Sequence, residues 1–307
     1  MIYIIVVIIV LILSYILLGF YFFHYSTNPK VSAKKLFKGN HLTLASDASF
    51  EWFENVKKYD VYVNSFDNLK LHAYKIPNKS HKWIILIHGY TNTSNDMLDY
   101  AKHFYDNGYN ILIIDQRAHG KSEGKYSTMS WNERLDVLKW IKFIAKEDKQ
   151  SKIALLGLSM GASTTVLTCG ENLSDNVVCA ISDCGFYSIY HQFYYQLKHG
   201  GHIPEIVISA ANIFYTLLGK FNIYKADGLE KLKSGKIPIL FIHGGSDKFV
   251  SINDLDVMYK NYPGKKEKLI IDGAKHMKSM NVDPNTYFSK VDSFTKKYIK
   301  YECVIYE

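Results

Sequence analysis

A serine between two glycines lies near the middle of the chain. The segment GLSMG, residues 157–161, places Ser159 two positions after Gly157 and two before Gly161. A serine hydroxyl is a weak nucleophile, so it needs a neighbouring base that removes its proton and N–H donors that stabilise the oxyanion formed on attack. A five-residue pattern also occurs by chance, so its meaning depends on the rest of the chain.

An acid and a histidine follow Ser159. Asp247 lies in the segment GGSDKFV, and His276, the last histidine of the chain, lies in the segment GAKH. Histidine can take the serine proton, and an aspartate can fix the imidazole tautomer and stabilise its cation. The position of Asp247 after an apolar run favours it over the competing acids, which are Asp183, Asp254, Asp256 and Asp272. The candidate nucleophile, acid and base therefore occur in the order Ser159, Asp247, His276.

The segment LIHGYTN, residues 86–92, provides part of a candidate oxyanion hole. An oxyanion hole needs two backbone N–H groups that point at one place. We expect these donors to be the amides of Tyr90, in the loop after an apolar run, and of Met160, directly after the serine. His88 is predicted to orient the loop rather than to react.

Eight segments have the patterning of β-strands. Residues 59–65 and 69–77 alternate polar and apolar side chains around the turn FDN, as expected for an antiparallel hairpin with one wetted face. The other runs are more continuously apolar and span residues 82–89, 110–115, 152–159, 177–183, 237–244 and 267–272. Helical stretches are predicted between or after them at residues 95–107, 131–147, 161–171, 252–262 and 285–301. This alternation predicts βαβ units in a mainly parallel sheet, with GLSMG where a strand turns into a helix.

The alternation is interrupted once. Residues 184–235 form an aromatic, predominantly helical segment between two predicted strands, so we expect them to form a lid. Its aromatic side chains could line a pocket for an apolar or aromatic part of a substrate, although each could also pack the lid onto the core. The predicted substrate-binding residues are Phe186, Tyr187, Tyr190 and Phe214.

The N-terminal residues 2–23 carry no charge and are almost entirely apolar or aromatic. As a helix this stretch could cross a hydrocarbon core of about 30 Å, and it lacks the basic start and the cleavage site of a signal peptide. We therefore predict a single membrane anchor over residues 1–25. No Lys or Arg precedes the anchor, and the positive-inside rule predicts a cytoplasmic soluble domain from the lysines that follow it, Lys30, Lys34, Lys35 and Lys38.

Composition argues against two other kinds of protein. The net charge is +8 over 307 residues, but no basic helix with interleaved aromatic residues suggests nucleic-acid binding. The four cysteines have no metal or redox spacing, and the lid segment HGGH has no cysteine beside it. We predict that the protein binds no metal, needs no cofactor and does not bind nucleic acid.

The motifs together resemble the serine α/β-hydrolases, in particular the esterase, lipase and serine-aminopeptidase-like group. The resemblance covers about residues 58–302 and depends on HGYTN, DQRAHGKSEG, GLSMG, GGSDKFV and GAKH. It implies an α/β-hydrolase fold, with a mainly parallel eight-stranded sheet flanked by helices and a helical lid insertion. In DQRAHGKSEG, Asp115 and Arg117 are predicted to brace loops. The predicted division is an anchor at 1–25, a tether at 26–57, a core at 58–183 and 236–307, and a lid at 184–235.

The resemblance is specific for the fold and weakly specific for the substrate. It implies a carboxylesterase or lipase-like serine hydrolase that cleaves carboxylic esters through an acyl-enzyme. The anchor makes lipid-like esters plausible substrates. Peptidase, thioesterase and acyltransferase activities use the same residues and stay open, as does a non-catalytic protein that binds a ligand under its lid. The oligomeric state is not predicted.

Overall fold

The computed structural model describes residues 1–36, 45–200 and 204–299, and the predicted closing helix to residue 301 therefore extends beyond the described residues. The strands are β1 (Tyr59–Asn64), β2 (Lys70–Ile76), β3 (Lys82–Ile87), β4 (Asn110–Ile114), β5 (Lys152–Leu158), β6 (Val177–Asp183), β7 (Ile239–Gly244) and β8 (Lys266–Ile271). The helices are α1 (Ile2–Thr27), α2 (Pro29–Leu36), α3 (Asp47–Asn55), α4 (Leu98–Asp106), α5 (Glu133–Glu147), α6 (Met160–Cys169), α7 (Ile189–Gly200), α8 (Ile206–Leu217), α9 (Gly228–Lys233), α10 (Ile252–Asn261), α11 (Ser279–Val282) and α12 (Pro284–Tyr298). A 3₁₀ turn, Ser94–Met97, precedes α4.

The strands form one eight-stranded sheet in the order β1-β2-β4-β3-β5-β6-β7-β8. β1 pairs antiparallel with β2, and β2 antiparallel with β4, whereas every pairing from β4 to β8 is parallel. The prediction of a mainly parallel eight-stranded sheet flanked by helices is confirmed. Because parallel strands run the same way, the residues after β3, β5, β6, β7 and β8 gather at one edge of the sheet.

The central strands are buried on both faces, which explains their continuous apolar sequences. In β3, Ile84 and Leu86 pack with α4 and α12 on one side, and Ile85 and Ile87 pack with α5 and α10 on the other. Successive side chains of a strand point to opposite faces, so a strand between two helical layers needs apolar residues at every position. The two helical layers thereby fix the sheet edge on which the candidate site lies.

The inserted segment between β6 and β7 contains α7, α8 and α9. Side chains from α7, α8 and the following loop form a third apolar cluster with residues of the sheet edge and of α1. This lid cluster consists of Phe23, Met129, Met160, Phe186, Ile189, Phe193, Leu197, Ile208, Ala211, Tyr215, Phe221, Ile223, Ala226 and Val250. It therefore joins the residue after Ser159 to the lid and to the N-terminal helix.

The N-terminal helix α1 has two parts with different surroundings. Residues 2–14 are all exposed, whereas the helix contacts the protein from Tyr15 onward. The Tyr15 hydroxyl lies 3.0 Å from Ser209 Oγ, the Ser26 hydroxyl lies 2.6 Å from the Tyr215 hydroxyl, and Phe23 is fully buried. The C-terminal half of α1 is therefore packed against α8 of the lid.

The predicted tether contains two short helices, α2 and α3. In α3, Phe53 is buried in the core beneath the sheet, and Ser46, which caps the helix, bonds Asp99 of α4 through its hydroxyl at 2.6 Å. Part of the tether thus packs against the core, and residues 37–44 lie outside the described residues. The predicted division into anchor, tether, core and lid stays a prediction.

Candidate active site

Ser159 lies at a sharp turn between β5 and α6. Its backbone has φ 53° and ψ −117°, a conformation that residues with a side chain rarely adopt. Two hydrogen bonds support the turn, because the Ser159 N–H donates to the Asp183 carbonyl at 2.9 Å and the Ser163 N–H donates to the Ser159 carbonyl at 3.0 Å. The turn lifts the serine out of the strand at the N-terminus of α6.

The two glycines of GLSMG are required by close backbone contacts. A Cβ on Gly157 would lie 2.1 Å from the Gly161 carbonyl oxygen, and a Cβ on Gly161 would lie 2.1 Å from the Ile87 carbonyl oxygen. Both distances are shorter than a Cβ can tolerate against a main-chain atom. The pattern therefore lets α6 begin directly against β5 and β3, which fixes where Ser159 projects.

Ser159, His276 and Asp247 form a continuous chain of hydrogen-bonding distances. Ser159 Oγ lies 2.8 Å from Nε2 of His276, and Nδ1 of His276 lies 2.7 Å from Oδ2 of Asp247. An ionised carboxylate only accepts hydrogen bonds, so Nδ1 donates its proton to Asp247, and Nε2 is left to accept the serine proton. Ser159 is 5% exposed and the His276 side chain is 19% exposed, so the three hydrogen-bonded side chains lie just below the surface.

The loop after β7 keeps Asp247 ionised. Burial alone would raise the pKa of Asp247, but the hydrogen bond and charge of His276 lower it, as do the amides of Phe249 and Val250. These amides donate to Oδ1 at 2.8 and 3.0 Å, which leaves Oδ2 for His276. The net pKa of Asp247 is lower than the usual value for aspartate, so the group is an anion at neutral pH.

The competing acid Asp183 has a different environment. It is fully buried at the end of β6, and its Oδ1 accepts a long hydrogen bond of 3.4 Å from the Ser279 hydroxyl. Burial raises the pKa of Asp183 to about 6, because few donors compensate the buried charge. No hydrogen bond joins Asp183 to His276 among the contacts of the described residues, and its main contact with the site is the carbonyl that accepts the Ser159 N–H.

The two predicted oxyanion donors occupy suitable backbone positions. Met160 is the first residue of α6, where backbone N–H groups have no partner within the helix, and Tyr90 lies in the loop after β3. Beneath this loop, the buried ring of His88 donates from Nδ1 to the Gly89 carbonyl at 2.7 Å and accepts at Nε2 from the Gln116 N–H at 3.0 Å. Burial lowers the pKa of His88, so its ring is neutral. The donor roles stay predictions.

The loop after β4 is braced by ion pairs. Arg117 bonds Asp136 of α5 through Nε at 2.7 Å and Asp67 of the β1–β2 turn through its terminal nitrogens. Asp115 accepts hydrogen bonds from the amides of Ser94 and Lys121 at 2.9 and 3.0 Å. These contacts fix the loops beside the site, and neither side chain bonds Ser159 or His276 in the part of the chain that the structure describes.

Contacts of Tyr25, Ser32 and Phe249 with the site were not predicted. The Tyr90 hydroxyl lies 3.0 Å from Ser32 Oγ and donates to the Tyr25 carbonyl at 3.3 Å, so the junction of α1 and α2 contacts the oxyanion loop. No local sequence pattern could reveal these two contacts, because Tyr90 lies 58 residues from Ser32 and 65 residues from Tyr25. The ring of Phe249 lies 4.8 Å from the ring of His276, and covers one side of it.

Cys184 lies beside the acid and the base. One ligand atom each of Cys184, Asp247 and His276 lie within 4.8 Å of one another, the one such cluster among the described residues. Burial raises the pKa of the Cys184 thiol well above its usual value, and a protonated thiol is a poor metal ligand. Both ring nitrogens of His276 also have partners already. The cluster therefore fits a serine–histidine–aspartate arrangement better than a metal site.

The four predicted lid residues lie in different environments. Phe186 is buried in the lid cluster with Met160. Tyr187 stacks on His191 and packs against the core layer that contains α5 and α10. The Tyr190 hydroxyl donates to the Glu205 carboxylate on the lid surface. The ring of Phe214 packs against Phe20 and Phe23 of α1. Their role in binding substrate stays a prediction.

Known proteins are similar to this chain in sequence and in fold. The family model described as serine aminopeptidase, S33, matches residues 78–224. The uncharacterized protein YqkD of Bacillus subtilis (strain 168) is 29% identical over 248 residues, which cover 80% of this chain and 81% of YqkD. The structure of the Pyrococcus furiosus esterase Pf2001 aligns with a TM-score of 0.68 and 26% identity, and covers 85% of this chain and 100% of the esterase.

A more distant neighbour shows the fold alone. The acylaminoacyl peptidase of Pyrococcus horikoshii aligns with a TM-score of 0.58 and 20% identity over 84% of this chain and 45% of the peptidase. The family match, the esterase neighbour and the sheet topology agree on one assignment. The chain is a serine hydrolase, and it belongs to the serine α/β-hydrolase superfamily.

Proposed function

We propose that the protein hydrolyses carboxylic esters through an acyl-enzyme formed on Ser159. The observation that carries this proposal is the chain of hydrogen-bonding distances from Ser159 to His276 and from His276 to Asp247. The neighbour Pf2001 is described as an esterase, and this supports an ester as the substrate of this chain.

The proposed reaction uses each residue in one role. His276 Nε2 takes the proton of the Ser159 hydroxyl as the oxygen attacks the ester carbonyl, and Asp247 stabilises the imidazolium that forms. The amides of Tyr90 and Met160 bind the oxyanion. His276 then gives its proton to the departing alcohol. Water enters, His276 removes its proton, and attack on the acyl-enzyme releases the acid and restores Ser159.

The lid cluster supports an apolar substrate portion. Met160 and Phe186 connect Ser159 to a group of buried aliphatic and aromatic side chains from α7 and α8. Such surroundings bind an acyl chain or aromatic ring through the loss of apolar surface from water. We propose that a lipid-like or aromatic ester is therefore bound with its apolar part under the lid.

The substrate class is tested by comparing esters with amides of the same acyl group. We expect the full-length protein in detergent to cleave p-nitrophenyl esters with a kcat/KM at least about tenfold above that for the matching p-nitroanilides, a difference of about 1.4 kcal/mol. A series of acyl lengths then reports how much apolar chain the lid accepts. Faster anilide cleavage would indicate the peptidase alternative. Absence of any turnover together with absence of fluorophosphonate labelling would indicate a non-catalytic ligand-binding protein.

We also propose that α1 is a membrane anchor and that the catalytic domain faces the cytoplasm. By length and composition, α1 is the one described helix that could cross a membrane. Removal of α1 as a signal peptide would uncover the lid cluster, because Phe23 is fully buried there. Four lysines follow α1 closely, at positions 30, 34, 35 and 38, which favours the cytoplasmic side. External protease should spare the domain in intact cells and digest it after lysis, and digestion in intact cells would contradict this orientation.

A further inference from the structure

We propose that the lid helix α8 lies in the membrane beside α1, so that the lid is itself a membrane-binding surface. The partner is the bilayer, and the inference rests on the membrane anchor proposed above. It goes beyond an anchor, because a simple anchor leaves the enzyme free to move at the end of a tether. Here the part of the protein that covers the active site would be in contact with lipid.

The exposed part of α1 is too short to cross a membrane alone. Only residues 2–14 of α1 are clear of the rest of the protein, and at a rise of 1.5 Å per residue they span about 20 Å. A hydrocarbon core is about 30 Å thick and needs about 20 helical residues. The remaining length must come from the part of α1 that begins at Tyr15, and α8 lies against that part. If α1 crosses the bilayer, α8 enters it too.

The outer face of α8 suits this position. Its exposed residues include Ile206, Ile213 and Leu217, which are 59%, 42% and 69% exposed, and Leu218 just beyond it is 46% exposed. The sequence carries no charge from residue 206 to residue 219. An apolar helix of this length is too short to cross a membrane alone but is typical of interfacial or re-entrant segments. The face is continuous with the exposed surface of α1.

Each polar side chain of α8 makes at least one hydrogen bond within the protein. Ser209 and Tyr215 share hydrogen bonds with Tyr15 and Ser26 of α1, at 3.0 and 2.6 Å. Asn212 accepts from the Ile223 N–H at 2.9 Å. Thr216 donates to the Asn212 carbonyl at 2.8 Å. A polar group exposed to lipid has no water to bond, so this internal pairing is what a membrane environment requires.

The contact between the helices resembles a membrane helix pair. A Cβ on Gly19 would lie 2.5 Å from the carbonyl carbon of Ala210, so the two backbones meet closely at small residues. Membrane helices commonly associate through such small residues and through hydroxyl hydrogen bonds. The two helices run in the same direction, since Tyr15 pairs with Ser209 and Ser26 with Tyr215. They therefore enter the bilayer as one unit.

Depth-dependent quenching tests the proposal on the full-length chain. Leu217→Cys carries an NBD fluorophore in a background with Cys303→Ser, because Cys169, Cys179 and Cys184 are buried. The protein is reconstituted into phosphatidylcholine vesicles with or without doxyl-labelled lipid. Because Tyr215 lies level with Ser26 of α1, position 217 should lie at the interface. We therefore expect a blue-shifted emission there and a loss of emission with doxyl lipid that is smaller than at Ile9→Cys on α1. Ile270→Cys, a matched exposed apolar residue on the edge strand β8, should show neither change.

The outcomes separate the lid from the anchor. Quenching at position 9 without quenching at position 217 would overturn the lid proposal and leave the anchor in place. Absence of quenching at both positions would overturn both. Fluorophosphonate labelling of each variant reports whether Ser159 stays active, so a failure of the proposed esterase function is seen independently of membrane contact. Since Leu217 is 69% exposed, its substitution should leave the fold and this labelling unchanged.

Discussion

Replacing Ser159 with alanine should lower kcat for p-nitrophenyl esters by about 10⁴- to 10⁶-fold, the range seen when a serine hydrolase loses its nucleophile. The Ser159 hydroxyl is the atom that lies 2.8 Å from His276 Nε2, and alanine leaves nothing to acylate. Substrate binding should change little, because the lid and the oxyanion loop are untouched. Steady-state kinetics and labelling by a fluorophosphonate probe measure the two effects on the same sample.

Ser163→Ala is the matched control for this prediction. Ser163 is also buried on α6, one helical turn beyond Ser159, and its hydroxyl accepts the Phe186 N–H at 2.8 Å. Loss of this bond should affect stability rather than labelling, and the probe should still react. Labelling that persists in Ser159→Ala but disappears in Ser163→Ala would show that the nucleophile has been assigned to the wrong serine.

Replacing Asp247 with asparagine should lower kcat by about 10³- to 10⁴-fold, because the amide can donate a hydrogen bond and thus favours the wrong tautomer of His276. In the native protein the Asp247 carboxylate accepts the Nδ1 proton at 2.7 Å, which leaves Nε2 free to take the proton of Ser159. The side chains are nearly equal in size, so the loop after β7 should keep its shape. Kinetics at a fixed pH near neutrality measure the loss.

Asp183→Asn provides the contrasting acid. It should change kcat by less than about tenfold, because in the described residues Asp183 contributes a carbonyl rather than its carboxylate to Ser159. Its effect should appear in stability instead. With a pKa of about 6 when folded and about 3.9 when unfolded, the native state binds more protons in that window, so the free energy of unfolding falls as pH rises through it. In the Asp183→Asn variant, the free energy of unfolding should no longer fall with rising pH in this range. A large loss of kcat in Asp183→Asn with little loss in Asp247→Asn would reverse the assignment.

The sheet was predictable because each strand has a local signature. Most runs between helices are continuously apolar after their first residue, and the hairpin alternates. The predicted bounds of all eight strands therefore lie close to the observed ones. The differences occur where backbone chemistry changes. The run predicted from residue 237 begins as a strand only at Ile239, directly after Pro238, whose nitrogen cannot donate to a neighbouring strand. β3 ends at Ile87 because the His88 carbonyl bonds the side chain of Gln116.

The residues proposed for catalysis were predictable from their residue types and their order in the chain. The contacts that hold the surrounding loops in place were not predictable. The sequence pattern identifies Ser159, Asp247 and His276 as candidates, and the structure brings them within hydrogen-bonding distance. The hydroxyl contact between Ser32 and Tyr90 depends on how α1 and α2 dock, which leaves no periodic signal. The same holds for the contact of the Phe214 ring with Phe20 and Phe23 of α1.

The long separation between Ser159 and His276 has a consequence for biosynthesis. The two residues lie 117 positions apart, and His276 follows β8, whereas α1 precedes both of them in the chain. Chains fold from the N-terminus as they are synthesised. With α1 as the proposed anchor, the nascent protein would reach the bilayer while the proposed nucleophile still lacks its proposed base. Delivery to the membrane would thus precede hydrolytic competence, and the newly made chain could not cleave cellular esters before it arrives.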